Sequence, residues 1–450
     1  MSLARPYVRP SLNALAVPIF GEFLLGMTVA MAGLYLASHT SDAAAGSFGL
    51  TQQILESLFV VFRVLAIGMG IVVTRALGAN DAETARRTAF LALGSSTWAG
   101  LAVGAWLLFG DQLTLQWLNA PEAIHGMAGT YMMWLAPAMV LEAYNLSMAS
   151  VLRAHLFARD SLRIMVIMHS SHLLLAVLLM RGLGEWDGWG LTGYAIAMLL
   201  SRAIGLAMHL LFWRQRMGLK PRRHNWWIVR PKAFVPVLKV GVPGAGLEFL
   251  YRIAFMVSLA TTAKLGVAAL ATHSYTYQTL RFVLLISMSI GWACEIMVGR
   301  LSGGGQLREA DAIVLKGVRS GLIASGGLAL LAAISAPWFM QVFTRDPEII
   351  QAARILLWMS VLLETGRVFN LVLNGALRAS GDIHFPLAIN AGSIVLVLGL
   401  GSYLLGNWFG LVGVWAAYVA DECLRGGLMW RRWSRKEWVG AARGLRGRKK

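Results

Sequence analysis

The chain has 450 residues, 57% of them apolar and 14% charged, whereas a soluble chain of this length carries roughly 25% charged residues and divides into two or three domains. Windows of about 20 apolar residues mark helices that cross a bilayer, and Thr88–Gly110, Ser320–Thr344 and Ile383–Ala420 contain no Asp, Glu, Lys or Arg. The reading is an all-α polytopic membrane protein. A net charge of +18 invites a nucleic-acid partner, but its distribution argues for membrane lipid instead and for no nucleic acid.

In chain order, the first apolar run, Ser11 to Ala37, is too long for a signal segment and is read as the first of twelve spans. The spans are predicted near residues 11–37, 50–74, 88–109, 128–152, 162–180, 189–213, 236–262, 270–298, 318–341, 355–377, 384–405 and 409–430. Basic residues collect in alternate loops: Arg75, Arg86 and Arg87; Arg153, Arg159 and Arg163; Arg214 to Lys239; Arg300 to Arg319; Arg378; and the tail from Arg431. The intervening loops hold only Arg181, Lys264, Arg345 and Arg354. By the positive-inside rule both termini and the long central loop are expected in the cytoplasm, and a bacterial inner membrane is the expected location. The expected organisation is an N-terminal six-helix lobe over 1–213, a basic cytoplasmic linker over 214–239, a C-terminal lobe over 240–430 and a basic tail over 431–450. Cys294 and Cys423 both fall within spans and read as small buried apolar residues rather than a disulfide.

Sliding the chain against itself reveals a repeat at an offset of 225: Pro18 falls on Pro243, Arg75 on Arg300, Gly78 on Gly303, Ala85 on Ala310, Asn145 on Asn370, and the LRA at Leu152 on the LRA at Leu377. With small shifts APEAI at Ala120 meets DPEII at Asp346, and GLTGYAIA at Gly190 meets GLVGVWAA at Gly410. Six helices is an even number, so both copies insert in the same orientation about an axis along the membrane normal. A cavity between the copies, lined by spans 1, 2, 7 and 8, is the expected consequence.

The stretch TRALGANDAETARR at Thr74, DAAAGSFGLTQQI at Asp42, the VP-x4-E opening of the second half at Val242 and a second acid in the tenth span resemble the multidrug and toxic compound extrusion (MATE) transporters, in their NorM-like branch. The resemblance covers nearly the whole chain. It implies two pseudo-symmetric six-helix lobes in a V around a central cavity, no catalytic residue, and export of organic cations or other small amphipathic molecules in exchange for Na+ or H+. A monomer without a cofactor beyond that coupling ion is expected.

Charges within spans are expensive and face a cavity or one another. Glu248 and Glu364 both lie near mid-depth and, by the resemblance, match the acids of the seventh and tenth spans implicated in cation coupling, where Na+ or a proton is held. Two readings stay open, because Arg252 is four residues from Glu248 and Arg367 three from Glu364, so each pair also reads as simple neutralisation. Tyr251, Tyr277, Arg281 and Asn370 are further candidates around the same acids, since aromatic faces suit flat cations. Glu22, Glu56, Glu142 and Asn145 are candidates for a secondary polar cluster in the first lobe. The family's first-span aspartate, expected near Thr28, is missing. Asp421, Glu422 and Arg425 are read as a local salt-bridge set near the cytoplasmic end of the last span, and His169 and His172 as hydrogen-bonded helix residues rather than metal ligands.

No Gly-Lys dipeptide occurs, so there is no Walker A loop, and HExxH and GxSxG are absent; neither a built-in ATPase nor a hydrolase is expected. The competing function is a flippase for a lipid-linked saccharide or other anionic amphiphile, for which Arg63, Arg252, Arg281 and Arg367 would supply the cavity cations. A non-transporting scaffold is disfavoured because the charge sits within the helices.

Overall fold

A computed structural model describes residues 11–118 and 120–447. Helices account for the described chain almost throughout: α1 Leu12–Ser38, α2 Asp42–Gly78, α3 Ala82–Phe109, the short α4 Asp111–Trp117, α5 Glu122–Ala154, α6 Ala158–Arg181, α7 Gly190–Met217, a 3-10 turn Arg223–Trp226 and α8 Pro231–Lys264. There follow α9 Val267–Gly304, α10 Leu307–Gly321, α11 Gly327–Phe339, α12 Pro347–Ser380, α13 His384–Ser393, α14 Gly401–Ser434 and α15 Trp438–Gly447. Single π turns, Leu322–Gly326 and Ile394–Leu400, join α10 to α11 and α13 to α14.

Among the described residues eleven helical stretches are long and apolar enough to cross a bilayer, the last running from His384 to Ser434. That last stretch contains two crossings. Gly410 has φ 62° and ψ −147°, and a Cβ placed on Gly413 would lie 2.0 Å from the carbonyl oxygen of Leu405, so the chain doubles back there. In a straight helix these two residues would stand about 12 Å apart. Twelve crossings result. Leu331, Met256 and Trp408 are more than 60% exposed, the apolar exterior that lipid requires.

The repeat is visible in the backbone. Asn80 (φ 54°) and Gly305 (φ 77°) turn the chain between α2 and α3 and between α9 and α10, and Leu156 (φ 69°) and Gly381 (φ 101°) do so after α5 and α12; both pairs stand 225 residues apart. In the first loop Asp81 caps α3 by accepting the Thr84 N–H at 3.0 Å, which explains why NDAET follows Gly78. Gly78 and Gly303 mirror each other: a Cβ on Gly78 would sit 1.9 Å from the Arg300 carbonyl oxygen, and one on Gly303 would sit 2.3 Å from that of Arg75.

Two compact units emerge, one of residues 21–73 and 81–245, the other of the residues before Gly21, 74–80 and 246 onward. Their boundaries cut α1 and α8 at repeat-equivalent points, so the basic segment 214–239 lies inside the first unit. The first unit packs α3 on α5 and α5 and α6 on α7 around Phe48, Phe62, Tyr131, Leu135 and Tyr194. The second packs α12 against α9, α11 and α14 around Leu356, Leu357, Trp415 and Tyr418.

Candidate functional site

The second unit contains an interlinked buried cluster of five charged residues, built where α12 meets α14. Glu364, Arg367 and Asn370 recur at intervals of three on α12, hence on one face. Opposite them, α14 presents Asp421, Glu422 and Arg425. The two helices approach at a glycine crossing: a Cβ on Gly366 would lie 2.6 Å from the Cys423 backbone nitrogen, and one on Gly426 would lie 2.5 Å from the Gly366 carbonyl oxygen. Small residues at such a crossing let backbones touch, and the charged residues on either side are thereby brought within reach.

Glu364 pairs with Arg367, and its other oxygen accepts from Ser325 at 3.0 Å and Ser287 at 3.3 Å. Ser325 belongs to the π turn Leu322–Gly326, whose extra residue per turn resets the facing of the helix, a device frequent at functional sites. Arg367 also reaches Glu422 at 3.4 Å, Asn370 donates to Glu422 at 2.8 Å, and Arg425 lies 3.2 Å from Glu422. Arg425 pairs with Asp421 and donates to Asn390 at 3.2 Å, while Ser393 donates to Asp421 at 2.7 Å. Glu364 and Asp421 are 0% exposed. With every group ionised the cluster carries three negative and two positive charges.

Asp421 and Glu422 stand near the middle of the helical stretch between Gly410 and Ser434, form the expected local ion-pair set with Arg425, and are tied through Arg367 to Glu364.

In the first unit the acids form separate neutral pairs. Glu22 of α1 pairs with Arg153 of α5 at 2.7 Å, and Glu142 of α5 with Arg202 of α7 at 2.9 Å. Asn145 donates to the Arg202 carbonyl oxygen at 3.0 Å and meets His209 Nδ1 at 3.1 Å. Glu56 is exposed. His169 and His172 depart from expectation: His169 Nδ1 and both ring nitrogens of His172 lack hydrogen-bond partners. His172 instead packs edge-on against Tyr194, centroids 4.7 Å apart. Among the described residues no group of three His, Cys, Asp or Glu is arranged to hold a metal.

Of the remaining candidates, Tyr251 and Tyr277 lie within electrostatic reach of Arg367. Glu248, Tyr251 and Arg252 are half-buried on α8. Tyr277 is half-buried beside Phe255, centroids 4.9 Å apart, and Arg281 is exposed, 3.4 Å from Gln278. Cys294 and Cys423 are free thiols, the first buried.

The MatE family model matches residues 18–178 and again 243–403, the second match displaced by the 225-residue period. The chain belongs to the MatE family. It is 28% identical over 434 residues to the uncharacterized transporter YisQ of Bacillus subtilis, covering 95% of each chain. It is 23% identical to a probable multidrug resistance protein NorM of Thermotoga maritima, covering 93% of this chain and 91% of that one. Among solved structures the fold is similar to the Vibrio cholerae MATE transporter VcmN in its bent form, with TM-score 0.85, 18% identity and 96% of both chains covered. It is also similar to a MOP superfamily transporter from Pyrococcus furiosus, with TM-score 0.82, 15% identity and 96% of both chains covered. This MatE member is a multi-pass membrane transporter and not an enzyme.

Proposed function

We propose that this transporter is a secondary active antiporter of the cytoplasmic membrane, exporting organic cations or other small amphipathic molecules in exchange for Na+ or H+. The observation that carries the reading is the charge imbalance of the cluster around Glu364, three carboxylates against two guanidiniums. An uncompensated charge at mid-membrane costs at least about 2.5 kcal/mol, so the cluster is stable when it holds one proton or one monovalent cation. Asn370 Oδ1, buried without a hydrogen-bond partner, is a spare oxygen ligand beside Glu422.

Exchange follows from competition. A cationic substrate and the coupling ion relieve the same negative charge, so one leaves as the other arrives. Glu248 supplies a second carboxylate on α8, and Arg252, one turn away on the same helix, weakens its hold on a cation enough to permit release. With no Walker A loop in the chain, an ion gradient drives the cycle.

The test is reconstitution of the full chain in sealed vesicles, following an ethidium-like cation under an imposed Na+ gradient and then under a proton gradient, with a lipid-linked glycan run in parallel. One gradient accelerates cation flux. Flux indifferent to both gradients overturns the antiport reading, and movement of the glycan instead points to the flippase. The cytoplasmic placement of both termini is checked separately: a cysteine at Ser41 is labelled by an impermeant reagent from outside the cell and one at Arg222 is not.

A further inference from the structure

The segment joining the two halves has a structure of its own. From Arg214 to Lys239 it carries eight basic residues and no acid, yet it is anchored to the first unit rather than standing free. Helix α7 ends at Gly218 in the left-handed conformation (φ 66°), and the chain then lays Trp226 and Trp227 onto α3 and α5. Thr97 donates to the Trp226 carbonyl and Trp98 Nε1 to that of Trp227 at 2.9 Å. Tyr144 meets the Trp226 ring edge-on at 5.0 Å. Gly94 makes room for this docking, since a Cβ there would stand 2.4 Å from the Ile228 carbonyl oxygen.

Beneath the docked segment, between α2, α3 and the first turns of α8, runs an open groove of about 500 Å³. Its wall includes Val60, Val61, Val64, Trp98, Val229 and Phe234. The one hydroxyl in the lining belongs to Ser95, and it is spent on the Leu91 carbonyl at 2.8 Å. Arg230 and Lys232 flank Val229 and Phe234 in the chain, and with Arg222 and Arg223 they are exposed. Among the described residues none of these four is ion-paired.

We infer that this groove binds an anionic glycerophospholipid of the cytoplasmic leaflet, with an acyl chain against the valines and Trp98 and the phosphate on the basic rim. An apolar slot without polar lining accepts a hydrocarbon chain, and unpaired Arg and Lys at its border are complementary to a phosphate. Neither feature alone selects a ligand; together they match an amphiphile with one negative head. A zwitterionic lipid would gain the slot but little from the rim, and a cationic drug would be repelled by it. The assignment to that leaflet rests on the topology proposed above, but binding in detergent does not depend on sidedness.

The full chain, purified in a mild detergent and stripped of lipid, is titrated with phosphatidylglycerol and with phosphatidylcholine of the same acyl chains, and bound lipid is counted by native mass spectrometry. The wild type retains one phosphatidylglycerol in preference to phosphatidylcholine. Arg230→Gln with Lys232→Gln weakens phosphatidylglycerol binding about tenfold or more and removes the preference while some chain binding persists. Ala99 also lines the groove, and Ala99→Trp, which fills it, lowers retention of both lipids; Val61→Trp, at a partly exposed position, does the same if the first variant misfolds. Equal retention of the two lipids by the wild type, or retention undiminished in a folded groove-filled variant, overturns the proposal.

Discussion

Repeat-equivalent positions in the two halves hold the same ion pair with its charges exchanged. In the first half Glu142 of α5 is paired to Arg202 of α7; at the offset of 225 Glu142 corresponds to Arg367, and at the local offset of 220 set by the two Gly-Leu-x-Gly openings Arg202 corresponds to Glu422, its partner on α14. Asn145 and Asn370 donate to the α7 or α14 member in each case. The difference lies in what surrounds each pair. The first half closes Glu22 and Glu142 one to one with Arg153 and Arg202, whereas the second adds Glu364 and the pair Asp421–Arg425 to the same network. A helix packing that closes its charges in one copy carries one extra carboxylate in the other, the surplus on which the proposed ion coupling rests.

The largest effect that tests this contrast is on stability. Glu142→Gln leaves Arg202 buried without its counter-charge, a loss of about 3–5 kcal/mol that thermal melting in detergent registers as a sharp fall in midpoint. Glu364→Gln removes the surplus acid and leaves two carboxylates facing two guanidiniums, so its melting midpoint stays near that of the wild type. Equal destabilisation by the two changes would erase the distinction between the halves.

Function responds in the opposite order. Glu364→Gln lowers ion-driven substrate flux in vesicles by at least about a hundredfold, the equivalent of about 2.7 kcal/mol of lost coupling, and Glu248→Gln does likewise. If both variants exchange at the wild-type rate, the acids are structural only. Gly426→Leu attacks the crossing itself: the added side chain meets the Gly366 carbonyl and the Phe369 Cβ, costing about 1–3 kcal/mol and reducing flux, whereas the same change at Gly427, where a Cβ meets nothing within 4 Å, is tolerated. The smallest effect is that of Arg252→Ala, which leaves substrate affinity unchanged or a few-fold tighter and slows turnover; weaker binding would sink the role given to that arginine.

Much was legible in the sequence because it depends on quantities that add locally. Hydropathy over about 20 residues and the sign of loop charge are properties of a segment, so twelve crossings could be counted without knowing what any helix touches, and the repeat was visible because both copies solve the same packing problem. Same-helix pairs were legible as well: Arg367 follows Glu364 by three residues and Arg425 follows Asp421 by four, and both pairs form. Partners on other helices were not. Nothing in the spacing of Glu22 or Glu142 announces Arg153 or Arg202, 131 and 60 residues away, and no periodicity brings Ser287 and Ser325 to Glu364. Those meetings depend on where helices cross, as the meeting of α12 with α14 depends on the steric contact of Gly366 and Gly426. Segment chemistry is therefore readable from the chain, while the charge balance of the site is a property of several helices at once and exists only after they pack.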